Sequence, residues 1–176
     1  MVTIAIAAIV VGMAIPSFTG TIRSNQLATN ANELITALNF ARSEAIKRGV
    51  QVTVRRLGND KQVWENGWEV FTDLNGNGTF NDNGDDDLCE ADEDCLLRVF
   101  DALPLGYTLR TGANYSCWLA FVTNGEVKGS GTSCNGGLGN DTFRLCDDSQ
   151  TQTNSRSIAI MVTGRARVST GTASCP

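Results

Sequence analysis

The first twenty residues, Met1-Val-Thr-Ile-Ala-Ile-Ala-Ala-Ile-Val-Val-Gly-Met-Ala-Ile-Pro-Ser-Phe-Thr-Gly, carry no charge and run without a linker into a polar helical pattern. A chain that begins this way must find cover for one oily helix end, either from its own body or from something outside it. Three readings compete. A secretory signal peptide has a basic start and a small-residue cleavage site, whereas the first Lys or Arg here is Arg23 and the pattern simply continues. A membrane-spanning helix needs about 20 apolar residues. This run reaches that length only when Pro16 and the residues after it are included. A buried core helix is the third reading, and the lack of any polar stripe before Ser17 speaks against it.

Pro16 removes one backbone hydrogen bond and crowds the preceding turn, which predicts a kink or a locally melted turn there. Beyond it, Leu27, Ala31, Leu34, Leu38, Ala41 and Ala45 recur at alternating steps of four and three, the spacing of one helix face. Lys47 and Arg48 suit the negative end of the helix dipole, and Gly49 is the expected stop. One helix is therefore expected from near Met1 to about Arg48. At 1.5 Å per residue its length is on the order of 70 Å, more than a domain of this size can cover. The first half must protrude, and Val2, Ile4, Ile6, Ile9, Val10, Pro16 and Phe18 are the residues expected to meet lipid or neighbouring helices. This divides the chain into a hydrophobic helix segment, 1–22, and a head, 23–176, made of an amphipathic helix 23–48 and a β-rich region 50–176.

After Gly49 the pattern changes. Segments 50–54, 67–72, 96–100, 107–110, 118–122, 143–146 and 156–163 are short, rich in β-branched and aromatic residues, and separated by Gly, Asn, Asp and Ser. Several alternate apolar with polar, as half-buried antiparallel strands do. The strands cluster after one helix instead of alternating with helices, so the expected fold is α+β, a long N-terminal helix packed through Leu34, Leu38, Ala41 and Ala45 on an antiparallel sheet. With 176 residues, 41% of them hydrophobic, one core is expected.

Six cysteines, Cys89, Cys95, Cys117, Cys134, Cys146 and Cys175, sit in or beside loops, which favours disulfides in an oxidising compartment. Nearness in sequence suggests Cys89 with Cys95, Cys117 with Cys134, and Cys146 with Cys175, out of about 15 arrangements that six cysteines allow. Zinc is the alternative, but the chain has no His and no Cys pair spaced by two residues. Without His there is no Ser-His or Cys-His nucleophile, and the carboxylates crowd one Gly/Asn-rich loop from Asp82 to Asp94 instead of forming a spaced acid and base. No enzymatic activity is expected.

Two short segments carry possible binding chemistry. Asp73-Leu-Asn-Gly-Asn-Gly has oxygen-bearing side chains at alternate positions, Asp73, Asn75 and Asn77, and a Gly for a tight turn, like the start of a calcium loop. Gly84 stands where the closing bidentate Glu would fall, so a plain turn joining two strands competes with a calcium site; Asp82 or Asp85 would complete the ligands. No other cofactor is implied. In Gly164-Arg165-Ala166-Arg167 an extended strand would aim Arg165 and Arg167 to one side, a small phosphate clamp, although a hairpin turn with two surface arginines reads equally well. The net charge of −5 weighs against avid nucleic-acid binding.

The segment Asn32-Glu-Leu-Ile-Thr-Ala-Leu-Asn-Phe-Ala-Arg-Ser-Glu-Ala-Ile-Lys-Arg-Gly, the run from Gly67 to Gly78, the Leu-Leu-Arg-Val strand at 96–99 and the closing Gly-Arg-Ala-Arg-Val at 164–168 together resemble the FimT/FimU minor pilins and GspH pseudopilins. The resemblance implies a type IV pilin-like subunit whose N-terminal helix is held in the bacterial inner membrane, with a periplasmic head, before packing in a pilus or pseudopilus. Its implied partners are other major and minor pilins or pseudopilins, with a place near the tip and a part in starting assembly. The family's leader peptide and assembly Glu match no residue here and are expected upstream of Met1. The FimT branch uses a Gly-Arg-x-Arg motif to bind DNA during natural transformation, which makes double-stranded DNA an alternative partner for Gly164, Arg165 and Arg167.

Overall fold

The computed structural model describes residues 2–84, 89–90 and 92–175, with side chains described from residue 19 onward. The side chains of Val2, Ile4, Ile6, Ile9, Val10, Pro16 and Phe18 thus lie outside the described residues, as does Asp85. Helix α1 spans Val2–Arg48 as one unbroken element, so no melted turn interrupts it at Pro16. It ends where Gly49 donates its N–H to the Ala45 carbonyl at 3.0 Å. In the last turn Arg48 Nε donates to Glu44 Oε2 at 2.6 Å. That hydrogen bond holds the Glu44 carboxyl below its ordinary range, helped by the Lys47 charge and opposed by partial burial.

Among the described residues nine strands follow: β1 Val52–Arg56, β2 Trp68–Thr72, β3 Leu96–Phe100, β4 Thr108–Arg110, β5 Trp118–Phe121, β6 Val127–Gly129, β7 Asp141–Cys146, β8 Arg156–Ile160 and β9 Ala166–Thr170. They form two antiparallel sheets instead of one, in the orders β3-β2-β1-β5-β6 and β4-β7-β8-β9. Two strands went unread in the sequence. β6 has only three residues, too few for a period to show. β9 is a polar edge strand, and the apolar run before it is broken because β8 stops at Ile160 and residues 161–165 turn back on themselves.

Leu27, Ala31, Leu34, Ala37, Leu38, Ala41 and Ala45 are all buried, and the helix touches β1, β2 and β5 of the first sheet and β7 and β8 of the second. Small residues at 37, 41 and 45 let the backbone come close to both sheets at once. Between the sheets, Trp64 stands edge-on to Phe143 with ring centroids 5.0 Å apart and donates its indole N–H to the Tyr115 carbonyl at 2.9 Å. The buried Tyr115 hydroxyl donates to the Gly139 carbonyl, and burial raises its pKa above the ordinary phenol value.

The first sheet departs from simple alternation, since β2 and β5 are buried along their whole length. Val52 and Val54 point to the helix. On the opposite face Phe71 packs edge-on against Phe80, 5.5 Å between centroids, and Trp118 lies directly beneath Gly78. Any Cβ at residue 78 would sit 2.0 Å from the Trp118 indole nitrogen, so only glycine permits the contact. The loop after β2 therefore covers the outer face of this sheet.

Three disulfides form, Cys89–Cys95, Cys117–Cys134 and Cys146–Cys175, the pairings that nearness in sequence suggests. The last anchors the tail that follows β9. That tail also exchanges hydrogen bonds with Ser155, whose Oγ accepts from the Ala173 N–H at 3.1 Å and donates to the Ala173 carbonyl at 3.2 Å. Replacing both Cys146 and Cys175 by Ser is expected to cost about 3 to 4 kcal/mol, because the bridge closes a long loop in the unfolded chain. Denaturant unfolding with limited proteolysis checks this: cleavage should move to residues 171–175, and an unchanged digest would mean that the Ser155 bonds hold the tail alone.

Candidate functional site

The hairpin of β8 and β9 presents the two arginines picked out in the sequence. Ile158 and Ile160 of β8 are buried, so Ser157 and Ala159 face away from the helix. Arg167 pairs with Ala159 and shares that outer face. Met161 N–H donates to the Arg165 carbonyl, which extends the ladder by one step and places Arg165 on the same side. Both side chains are exposed, and neither makes a hydrogen bond or ion pair among the described residues. The strand itself begins only at Ala166, so Arg165 belongs to the turn.

Gly164 builds this turn. It is buried with φ of +78°, and a Cβ there would lie 2.3 Å from the Gly125 carbonyl oxygen and 3.2 Å from the Phe121 ring. The turn thus sits on the β5–β6 connection, and Val127 N–H donates to the Val162 carbonyl at 2.8 Å, tying one sheet to the other. Arg42 of the helix reaches the same place, donating from Nη2 to the Thr163 carbonyl at 3.1 Å. Its role was not legible in the sequence, where it is one of several cations on the polar flank of the helix.

Register adds two more arginines to this outer face. Arg144 of β7 pairs with Ser157, and Arg110 of β4 pairs with Arg144. Arg110, Arg144, Arg167 and Arg165 therefore lie on one side of the second sheet, in a chain of net charge −5. Strand alternation hinted that Arg110 and Arg144 face outward, but only the pairing brings them together.

The loop after β2 brings Asp73, Asn75 and Asn77 together. Asp73 is 1% exposed. Its Oδ2 accepts from Thr53 Oγ1 at 2.7 Å, the Gly78 N–H at 2.9 Å and Gln51 Nε2 at 3.0 Å, while Oδ1 accepts from the Asn77 N–H at 3.0 Å. Asn75 Oδ1 accepts from the Asn77 N–H and Asn77 Oδ1 from the Thr79 N–H. Asn81 Oδ1 accepts from both Asn75 Nδ2 and Asn77 Nδ2 at 3.0 Å. The second organising carboxylate, Asp94, escaped notice inside an acidic run. It is 2% exposed and accepts the Leu74 N–H at 2.8 Å and the Asn81 N–H at 2.9 Å. The Cys89–Cys95 bridge holds it in place. Among the described residues no group of three or more acidic, Cys or His side chains is arranged to hold a metal ion.

The third candidate surface is the free end of the helix. Residues 19–22 are exposed, Ile22 at 64%, and cover by the head begins at Leu27. Among the described residues no helix is long and apolar enough to cross a membrane.

A long helix laid across two antiparallel sheets, with the tail after β9 stapled to β7 by a disulfide, is a pilin-like architecture. Residues 30–165 match the family model described as Type II transport protein GspH, and the chain belongs to that family. Its fold is similar to that of the type IV minor pilin FimU of Pseudomonas aeruginosa PAO1 in two crystal forms. One superposes with a TM-score of 0.60 over 84% of this chain and 90% of that one, at 22% identity. The other gives a TM-score of 0.56 over 82% and 94%, also at 22% identity. The minor pseudopilin EpsH of the Vibrio cholerae Type 2 Secretion System superposes with a TM-score of 0.54 over 82% of this chain and 97% of that one, at 14% identity. A search of curated protein sequences finds no match.

The Asp73 loop yields a test. Asp73→Ala strips the partner from several buried donors, and a loss of about 3 kcal/mol is expected. Thermal melts in EDTA and in calcium decide what the carboxylate serves. An equal loss in both, with no calcium-dependent shift in the parent protein, fits a turn closed by its own hydrogen bonds. A calcium-dependent rise abolished by Asp73→Ala assigns an ion to the loop.

Proposed function

We propose that this chain is a minor structural subunit of a type IV pilus or a type II secretion pseudopilus. Its helix is held in the inner membrane and then packed among sister helices, and its head stands near the filament tip, where it helps to start assembly. The observation that carries this reading is the helix itself, which leaves the cover of its own head before Leu27 with Ile22 exposed. Membership of the GspH family and the likeness to a minor pilin and a minor pseudopilin support it. Ile22→Lys places a charge on the exposed helix while leaving the head core untouched. It should lower filament number, or secretion where the assembly is a pseudopilus, to about a tenth or less of the parent's, the loss expected if this face is buried in the filament. The head should melt at an unchanged temperature. Normal assembly by this variant would remove the packing role from this part of the helix.

A second reading, capture of double-stranded DNA, is favoured by the exposed side chains of Arg165 and Arg167, which make no hydrogen bond or ion pair among the described residues. Two guanidinium groups on one side of a strand suit phosphate oxygens. Changing both to Gln should abolish a gel shift and lower transformation while filaments persist. If weak binding remains, the slope of log affinity against log salt should fall by about 2, one unit per lost phosphate contact. A gel shift unchanged by the double substitution would rule these residues out as the DNA contact.

A further inference from the structure

The outer face of the second sheet holds a cavity that neither reading uses. It has a volume of about 270 Å³ and is lined by Gln62, Arg110, Thr111, Arg144, Ser174 and Cys175. Arg110 and Arg144 stand directly opposite each other in the antiparallel ladder. Like charges in that relation repel and destabilise a sheet unless an anion lies between them. Glu65 answers one of the two, its Oε2 lying against Arg110 Nη1 as an ion pair. Arg144 has no carboxylate partner among the described residues and makes one hydrogen bond, from Nη2 to the Thr111 carbonyl at 3.1 Å. Among the described residues, two cations against one anion leave one positive charge over the cavity.

The remaining lining groups add donors. The side-chain amide of Gln62 and the hydroxyl of Ser174 make no hydrogen bond among the described residues. Gln62 is held in the left-handed region, φ of +66°, by its N–H to the Ser116 carbonyl and its own carbonyl accepting the Thr111 N–H. A non-glycine residue in that region costs energy and is kept only where the surroundings impose it. Ser174 and Cys175 belong to the tail, which the Cys146–Cys175 bridge fixes over the sheet. The result is a pocket with N–H and O–H donors from Arg144, Gln62 and Ser174 and, among the described residues, one positive charge in excess.

We infer that this pocket binds a single carboxylate borne on an acidic side chain of another polypeptide. The planar fork of Arg144 matches a carboxylate through two parallel N–H bonds. The surplus of one charge favours a monoanion over a phosphate dianion. The volume leaves room for the aliphatic stem of a Glu side chain as well as its head. The site does not depend on the filament reading, because its chemistry stands on the pocket residues alone.

A titration of the full chain in detergent tests it, following the guanidinium Nε–H signals of Arg144 and Arg110 at constant ionic strength. The probes are N-acetylglutamic α-amide, its Gln analogue, acetate and inorganic phosphate. The glutamyl probe should shift Arg144 saturably and the Gln analogue should not. Arg144→Gln should weaken binding about ten-fold or more, Arg144→Lys should weaken it less, since it keeps the charge but not the fork, and Lys128→Gln, an equal charge change elsewhere, should leave it unaltered. No saturable shift in the parent protein overturns the site, whether or not the Arg144 variants fold. Tighter binding of phosphate, or acetate binding as well as the glutamyl probe, overturns the assignment to a polypeptide carboxylate.

Discussion

Burial of one helix face by two sheets at once is the constraint on which the rest of this structure depends. Leu27, Leu34 and Leu38 each lose nearly all contact with water, a gain of about 1.5 to 3 kcal/mol apiece. Ala37, Ala41 and Ala45 contribute by being small, since any larger side chain there would push the sheets off the helix. Neither sheet could bury its own apolar face without α1. Val52 and Val54 of the first sheet, and Phe143, Ile158 and Ile160 of the second, belong to the same buried cluster as the helix residues. The helix is thus a shared wall, and the sheets are joined further by Trp64 against Phe143 and by the Val127 to Val162 hydrogen bond.

With the inner faces taken, the two outer faces diverge. The first sheet is sealed by the loop after β2, in which Phe80 covers Phe71 and Gly78 covers Trp118. That lid is kept closed by two buried carboxylates, Asp73 and Asp94, each collecting backbone N–H groups that would otherwise be unpaired. Among the described residues the second sheet is flanked on its outer side by the tail after β9 and the segment around Gln62, and Arg165 and Arg167 stay exposed. Arg167, Arg144 and Arg110 occupy that side because period-two alternation sends them away from Phe143, Leu145 and Ile158.

What could be read from the residues followed the range over which each signal acts. The four-three spacing from Leu27 to Ala45, the Gly49 stop and the three cysteine pairings are local patterns, and each corresponds to a feature of the fold. The division into two sheets is set by pairing between distant segments, and no local pattern carries it. β9 hid because its residues are polar and exposed, the signature of an edge and equally of a loop. The stretch 156–163 looked like one strand because Met161, Val162 and Thr163 are good strand formers, yet Gly164 needs room against Gly125 and forces the turn early. At the candidate site Arg165 and Arg167 were legible as neighbours in sequence, whereas Arg110 and Arg144 share their face only through strand pairing, and Arg42 reaches the turn at Thr163 only through tertiary packing. Asp94 was masked by the acidic residues around it, where one buried carboxylate looks like any solvated one.

The same arrangement explains how an acidic chain can carry a basic face. Arg55 and Glu69 neutralise each other on the first sheet, with Arg55 Nε 2.6 Å from Glu69 Oε1, and Arg48 does the same with Glu44 at the helix end. Arg56 is drawn onto the backbone carbonyls of Ser116 and Asn59, and burial lowers its pKa. Arg55 and Arg56 are therefore absorbed by the structure they stabilise, while Arg98 of β3 is exposed and lies over the Phe100 ring. On the second sheet Glu65 is the one carboxylate among the described residues paired with any of Arg110, Arg144, Arg165 and Arg167. The described acidic residues of this stretch, Asp82, Glu90, Asp92, Glu93 and Asp94, lie instead in the segment between β2 and β3 of the other sheet. Over a screening length of about 8 to 10 Å a cation on this face responds mainly to its own surroundings, and the chain's net charge of −5 does not determine what the face attracts.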